Sequence, residues 1–206
     1  MPSPIIHTTV GYLVYRYSRR KMPAESRYSW GPLPILLMIT VLFAMLPDFD
    51  ALLGLLVGDI GRYHNNATHS LVVGLAISLL FAAFLELRNK ARFLPWFMVL
   101  LISYESHVIL DYFTYGPRGV MLFWPITTER FIAPIFLFHG VRWSAGVYTI
   151  EHLLTVASEL LVVLMIFLGI WFFEGRKQKR IEIPVTPAKW IDSHQPWPDD
   201  PNGVKR

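Results

Sequence analysis

No cysteine occurs in the 206 residues. Disulfides, Cys-ligated zinc, iron–sulfur clusters and thiol nucleophiles are therefore excluded, and any bound metal must take its ligands from His, Asp or Glu. Charge is scarce as well. Only 17% of residues are charged against 53% hydrophobic, with mean hydropathy +0.40, which is too apolar for an ordinary soluble domain with one core. Neither an internal repeat nor the basic start and small-residue cleavage site of a signal peptide is found. The net charge of +4 carries no nucleic-acid signature, because the basic residues lie in short runs between apolar segments and form no basic face.

What is present reads as an all-α, multi-pass transmembrane helical bundle. A short apolar segment, 5–15, is interrupted by His7. Full spans are predicted at 33–46, 71–87, 93–112 and 152–173, by length and apolar content. Pro47 disfavours helix at Leu46, so the first of these spans is expected to end there and to be followed by a loop. Residues 131–138 are too few to cross and predict an interfacial or re-entrant segment. Trp30, Trp96, Trp124, Trp143 and Trp171 fall near the expected interfaces, as aromatic belts do. The organisation is then one membrane-embedded domain, 1–180, and a proline-rich, flexible tail, 181–206.

Lys and Arg distribute unequally over the two sides these spans define. Fifteen lie at 16–32, 88–92 and 174–206, and four, Arg62, Arg118, Arg130 and Arg142, lie opposite. The rich side is cytoplasmic by the positive-inside rule, so the C-terminus is expected in the cytoplasm. Six of the seven histidines then fall on the outer side, His194 being the exception. The count of basic residues did not place them there, which makes their clustering independent evidence of a site.

His107 and Asp111 are four apart and about 40° around a helix, so both can reach one ion. By itself such a pair is more often a hydrogen bond at a helix end. Asp48 and Asp50, two apart at a span end, can divide binding a metal from orienting a ligand, or simply terminate the helix. His64 and His69 cannot share a helical face; His69, flanked by Thr68 and Ser70 at the start of a span, is the expected ligand. His64 fits a role beside the metal or toward substrate. His7 is a further ligand candidate, and Glu159 a functional one because an unpaired carboxylate in lipid is costly. Glu105, His139, Glu151 and His152 are left open.

In this order, His7, Leu46-Pro47-Asp48-Phe49-Asp50, His64, Thr68-His69-Ser70-Leu71 and His107-x3-Asp111 with Thr114 and Gly116, the sequence resembles the YdjM-like family of inner-membrane-associated metal-dependent hydrolases over about residues 5–125. The His, Asp, His, HxxxD order is also similar to that of zinc-dependent phospholipase C. These resemblances imply a bacterial inner-membrane protein with His7, Asp48, His69, His107 and Asp111 as metal ligands, and Asp50 and His64 in catalytic roles. The sequence departs after His64, where Asn65 and Asn66 replace a basic residue and Gly; Arg62 or Arg118 would then meet a phosphate. The expected cofactor is one or two divalent ions, zinc first, with manganese or iron also suited to mixed His/Asp ligation. The expected reaction is hydrolysis of a phosphoester on a lipid or lipid-linked substrate at the outer face, with residues 119–138 placed to shelter acyl chains. A metal transporter, or a structural protein whose polar cluster packs the bundle, are the rival readings.

Overall fold

The computed structural model describes residues 3–22, 29–30, 33–59, 63–116, 118–140 and 150–181. Among the described residues, six α-helices carry the architecture: α1 (Pro4–Ser18), α2 (Ile35–Met45), α3 (Asp50–Leu56), α4 (Leu71–Asn89), α5 (Phe93–Tyr112) and α6 (Ile150–Ile181). Two short strand pairs accompany them: β1 (Ser29–Trp30) with β2 (Leu33–Pro34), antiparallel, and β3 (Thr114–Tyr115) with β4 (Phe138–His139), parallel. Four helical stretches among the described residues are long and apolar enough to cross a membrane: Ile35–Leu56, Leu71–Arg88, Phe93–Tyr112 and His152–Arg176. A helical membrane bundle is the result.

The first of these spans corrects the sequence reading. Instead of a loop after Leu46, a 3₁₀ turn (Leu46–Phe49) leads directly into α3. Pro47 is tolerated because it occupies the first turn, where no helical N–H is required of it. The turn re-aims the chain so that Asp48 and Asp50 both point inward and are buried. Residues 131–138 form no helix; Phe131 pairs with Val120, and Phe138 lies in β4.

Local signals set the helix starts. Ser3 caps α1, accepting from the Ile5 N–H at 3.3 Å, with Pro4 in the first turn. Ser70 caps α4 through the Val72 N–H, and its own hydroxyl donates to the carbonyls of Leu122 and Trp124, at 3.1 and 2.7 Å. That bond seats the 118–140 segment over the beginning of α4. Gly119, at φ +64°, is required there: a Cβ would come within 2.7 Å of the Phe131 carbonyl oxygen.

The chain divides into two compact units, Met1–Met165 and Ile166–Arg206. In the first, α4 packs on α5, α1 on α2, and α5 on both α1 and α2. Leu36, Phe43, Ala82, Trp96, Leu100, Tyr104 and Val108 form the buried core between them. In the second, the described residues continue α6, where the Arg176 guanidinium sits 4.0 Å over the Phe172 ring. Of the expected tail, 181–206, Ile181 is the last residue of α6, and 182–206 lie outside the described residues.

Helix α1 approaches α2 closely because Gly11 has no side chain. A Cβ at this position would lie 2.9 Å from Val41 Cα and 3.0 Å from the Thr40 carbonyl, both backbone atoms that cannot turn away. Gly11→Ala should therefore cost about 1–3 kcal/mol in thermal unfolding in detergent, as overpacking does. A melt identical to wild type would show that the two helices are not held at this distance.

Candidate metal centre

Four segments converge at one end of α5. His7 comes from the start of α1, Asp48 from the 3₁₀ turn after α2 and Asp50 from the first residue of α3 that follows it, His64 and His69 from the segment before α4, His69 within the 3₁₀ turn Ala67–His69, and His107 and Asp111 from α5. All seven side chains are buried. One ligand atom from each of Asp48, His69, His107 and Asp111 lies within 4.8 Å of the others; Asp50, His64 and His69 form a second such group.

Hydrogen bonds on the far side of each ring decide what the near side offers. His107 Nδ1 is 2.7 Å from the Ala44 carbonyl oxygen. A carbonyl has no proton to give, so Nδ1 carries the hydrogen and Nε2 of the neutral ring keeps its lone pair. That Nε2 faces Asp48 Oδ1 at 3.3 Å and His69 Nε2 at 3.2 Å. His69 is held in the same manner: its Nδ1 lies 3.3 Å from Asp50 Oδ2 and 3.1 Å from the Thr68 hydroxyl, which itself donates to Asp50 Oδ2 at 2.5 Å. Its Nε2 is 3.1 Å from Asp111 Oδ2 and 3.6 Å from Asp48 Oδ1. Asp50 also holds His64, whose Nδ1 is 3.0 Å from Oδ1. His7 stacks on His107, ring centroids 3.7 Å apart, and brings Nε2 to 3.4 Å from Asp111 Oδ1.

The centre of this arrangement is chemically incomplete. Both oxygens of Asp48, both of Asp111, Nε2 of His64 and both ring nitrogens of His7 are buried without a hydrogen-bond partner. Two imidazole lone pairs 3.2 Å apart repel unless a cation lies between them. Buried carboxylates are stable only when paired, hydrogen-bonded or bound to metal. An imidazole whose outer N–H is fixed by a carbonyl or carboxylate is how proteins orient histidine toward metal. The residues thus fit a divalent ion. Within the protein alone, burial pulls the His69 imidazole toward neutrality, but Asp111, Asp48 and Asp50 outweigh it and raise its pKa well above the ordinary value.

Beside Asp111 a cavity of about 10 Å³, lined also by Asn65, Thr114, Gly116 and Gly119, has room for a single water. Asn65, at φ +59°, and Asn66 stand where the resemblance leads one to expect a basic residue and Gly. Here Arg130 holds their loop, donating to the Asn65 and Gly119 carbonyls at 3.2 Å each and to Asn66 Oδ1. Arg118 is exposed and precedes Gly119; Arg62 lies outside the described residues.

Of the residues left open by the sequence, none whose side chain is described joins the cluster. His139 is exposed in β4. Glu105, two residues before His107, turns toward Gly74 on α4 and away from the ligands. Glu159 accepts from both the backbone N–H and the hydroxyl of Ser3, which fastens α1 to α6. His152 is half-buried at the start of α6, and nothing is described of the Glu151 side chain. Sequence reasoning missed the orienting groups. Thr68 was visible only as a cap, Ala44 contributes a backbone oxygen, and Tyr104, whose hydroxyl donates to the Thr68 carbonyl at 2.6 Å, looks like any core aromatic.

Comparison with known proteins agrees with this architecture. The YdjM inner membrane protein family matches residues 1–180. Inner membrane protein YbcI of Escherichia coli (strain K12) is 31% identical over 150 residues, covering 69% of this chain and 86% of its own length. No solved structure matches. The long apolar helices and these two similarities together support a bacterial inner-membrane location. The chain belongs to the YdjM inner membrane protein family.

Proposed function

We propose that the protein is a membrane-bound, metal-dependent hydrolase of phosphoesters on a lipid or lipid-linked substrate. The observation that carries this reading is the set of unpartnered Asp48 and Asp111 oxygens facing imidazole nitrogens whose protons are fixed on the opposite side. Zinc is the first choice of metal, manganese or iron the next. A divalent ion at this place supplies Lewis acidity and a water that ionises near neutral pH. The chain's own residues do the rest. Asp50 and Thr68 keep the His69 ring in its tautomer, and Asp50 does the same for His64. The free Nε2 of His64, 3.9 Å from Asp111 Oδ2, can then take a proton from the attacking water and pass it to the departing alcohol oxygen as the water oxygen joins phosphorus and the ester P–O bond breaks. Arg118 is the candidate for the phosphate's negative charge.

Hydrolysis is favoured over transport because the ligands of the α4 and α5 spans gather at helix ends, while Asp48 sits in the 3₁₀ turn that interrupts the Ile35–Leu56 stretch. Asp111 is one residue from the end of its span and His69 two before the start of another, with no ligand midway along either α4 or α5. Purified protein in detergent should release phosphate or a headgroup from a panel of phospholipids and isoprenoid phosphates, and should lose that activity on chelation. Activity that persists after chelation would belong to a contaminant. A metal-loaded protein inert on the panel but carrying metal into proteoliposomes would be a transporter.

The same reading places the cluster on the outer face and the C-terminus in the cytoplasm. Because native thiols are absent, single cysteines report topology cleanly. Asn65→Cys and Asn202→Cys should label from opposite sides of the membrane. Labelling from one side would overturn the orientation.

A further inference from the structure

A second, larger concavity shares no residue with the small cavity beside Asp111, and its lining is next in the chain to residues of the metal centre. An apolar groove of about 1050 Å³ runs between α1 and α2, lined by Thr8, Tyr12, Met38, Leu42, Met45 and Phe49 among others. Each residue at its upper end is a chain neighbour of the metal centre. Thr8 follows His7, Met45 follows Ala44, whose carbonyl orients His107, and Phe49 stands between Asp48 and Asp50. We infer that this groove holds one hydrocarbon chain of the substrate lipid, with the headgroup at the His/Asp cluster; the inference rests on the hydrolase reading for the headgroup but not for the chain.

Chemistry and dimensions support that occupant. The Thr8 hydroxyl is turned to Met45 sulfur at 3.8 Å, and the remaining lining is almost wholly apolar, so a ligand there needs no hydrogen bonds. From Ile35 to Phe49 the groove follows roughly 20 Å of helix, against about 15 Å for one leaflet of the hydrocarbon core. An acyl chain thus fits along it. Methionines at 38 and 45 add side chains that adapt to a flexible ligand. Other outward faces differ in shape: the exposed Leu153, Leu160, Leu161 and Leu164 lie along the single helix α6 and Leu75, Leu79 and Leu80 along α4, as ordinary lipid-facing surface does.

The test uses full-length protein in mixed micelles with phosphatidic acid carrying a diazirine in one palmitoyl chain. Cross-links should concentrate on residues 38–49 of wild type and fall roughly tenfold in Leu42→Trp, the loss expected from denying burial to about two methylene groups. Bound metal should not change. Met38→Trp, one turn lower, is the second variant should Leu42→Trp misfold. Labelling spread evenly over α4 and α6, or unaffected by either tryptophan, overturns the chain site whatever the activity. Hydrolysis is read separately on dipalmitoyl and dibutyryl phosphatidic acid. A tryptophan variant should lose the long-chain reaction selectively. Concentrated labelling without cleavage of either lipid would sink the hydrolase reading and leave the chain site standing.

Discussion

Asp111→Asn should yield a folded protein stripped of divalent metal. The substitution preserves volume at a position that is only 3% exposed, so packing around α5 is kept. What it removes is the charge shared by the whole cluster: Asp111 faces His69 at 3.1 Å, His7 at 3.4 Å, and His64 and His107 at 3.9 Å. Losing a direct ligand should cost more than the roughly 10–100-fold in affinity typical of groups that merely orient one. Asp50→Asn supplies the comparison, because Asp50 acts on His69 and His64 through their outer nitrogens and should fall within that smaller range. Elemental analysis and competition titration measure both, with circular dichroism to confirm folding. Equal metal content in wild type and Asp111→Asn would leave the cluster a structural device alone.

Metal-free and metal-loaded protein should respond to pH in opposite directions. In the metal-free protein the His69 pKa is raised, so the protonated ring is the form that folding favours. Its stabilising contribution is complete below the unfolded value near 6.5 and disappears as pH rises through the higher folded value. Metal requires the neutral ring, so binding strengthens over the same rise as proton competition fades. The gap between melting temperatures with zinc and with chelator should therefore widen from about pH 6 upward. At a free metal concentration about 100 times Kd the stabilisation is worth about 2.7 kcal/mol. Parallel melting curves across that range would mean that no proton is exchanged for metal at His69.

Hydropathy and charge made much of this legible in the sequence, because both act over many residues. Four spans emerge from apolar length alone, and the i, i+4 placement of His107 and Asp111 survives as a shared face. Pro47 misled because its meaning depends on position: inside a helix it breaks hydrogen bonds, while in the first turn of the 3₁₀ segment it breaks none. Glu159 drew attention as a lone carboxylate in a span, yet its partners stand 156 residues away, in a backbone N–H and a hydroxyl that no local pattern links to it. Thr68 and Ala44 were illegible for a related reason. Their contribution is the direction in which an atom points, and direction is decided by tertiary packing.

The distance along the chain between His7 and Asp111 also sets a timetable. Ribosomes add about 5–20 residues per second, so roughly 5–20 s separate the first ligand from the last. During that interval Asp48 and Asp50 have only the imidazoles already made, and His107 and Asp111 arrive together on one helix. The cluster of candidate ligands is completed in that final step. If the cluster takes up metal as proposed, loading is thereby a late event in biogenesis, and Glu159, made later still, ties Ser3 at the start of α1 to α6. A chain interrupted before residue 111 has every aspartate of the cluster except the one on which four histidines converge.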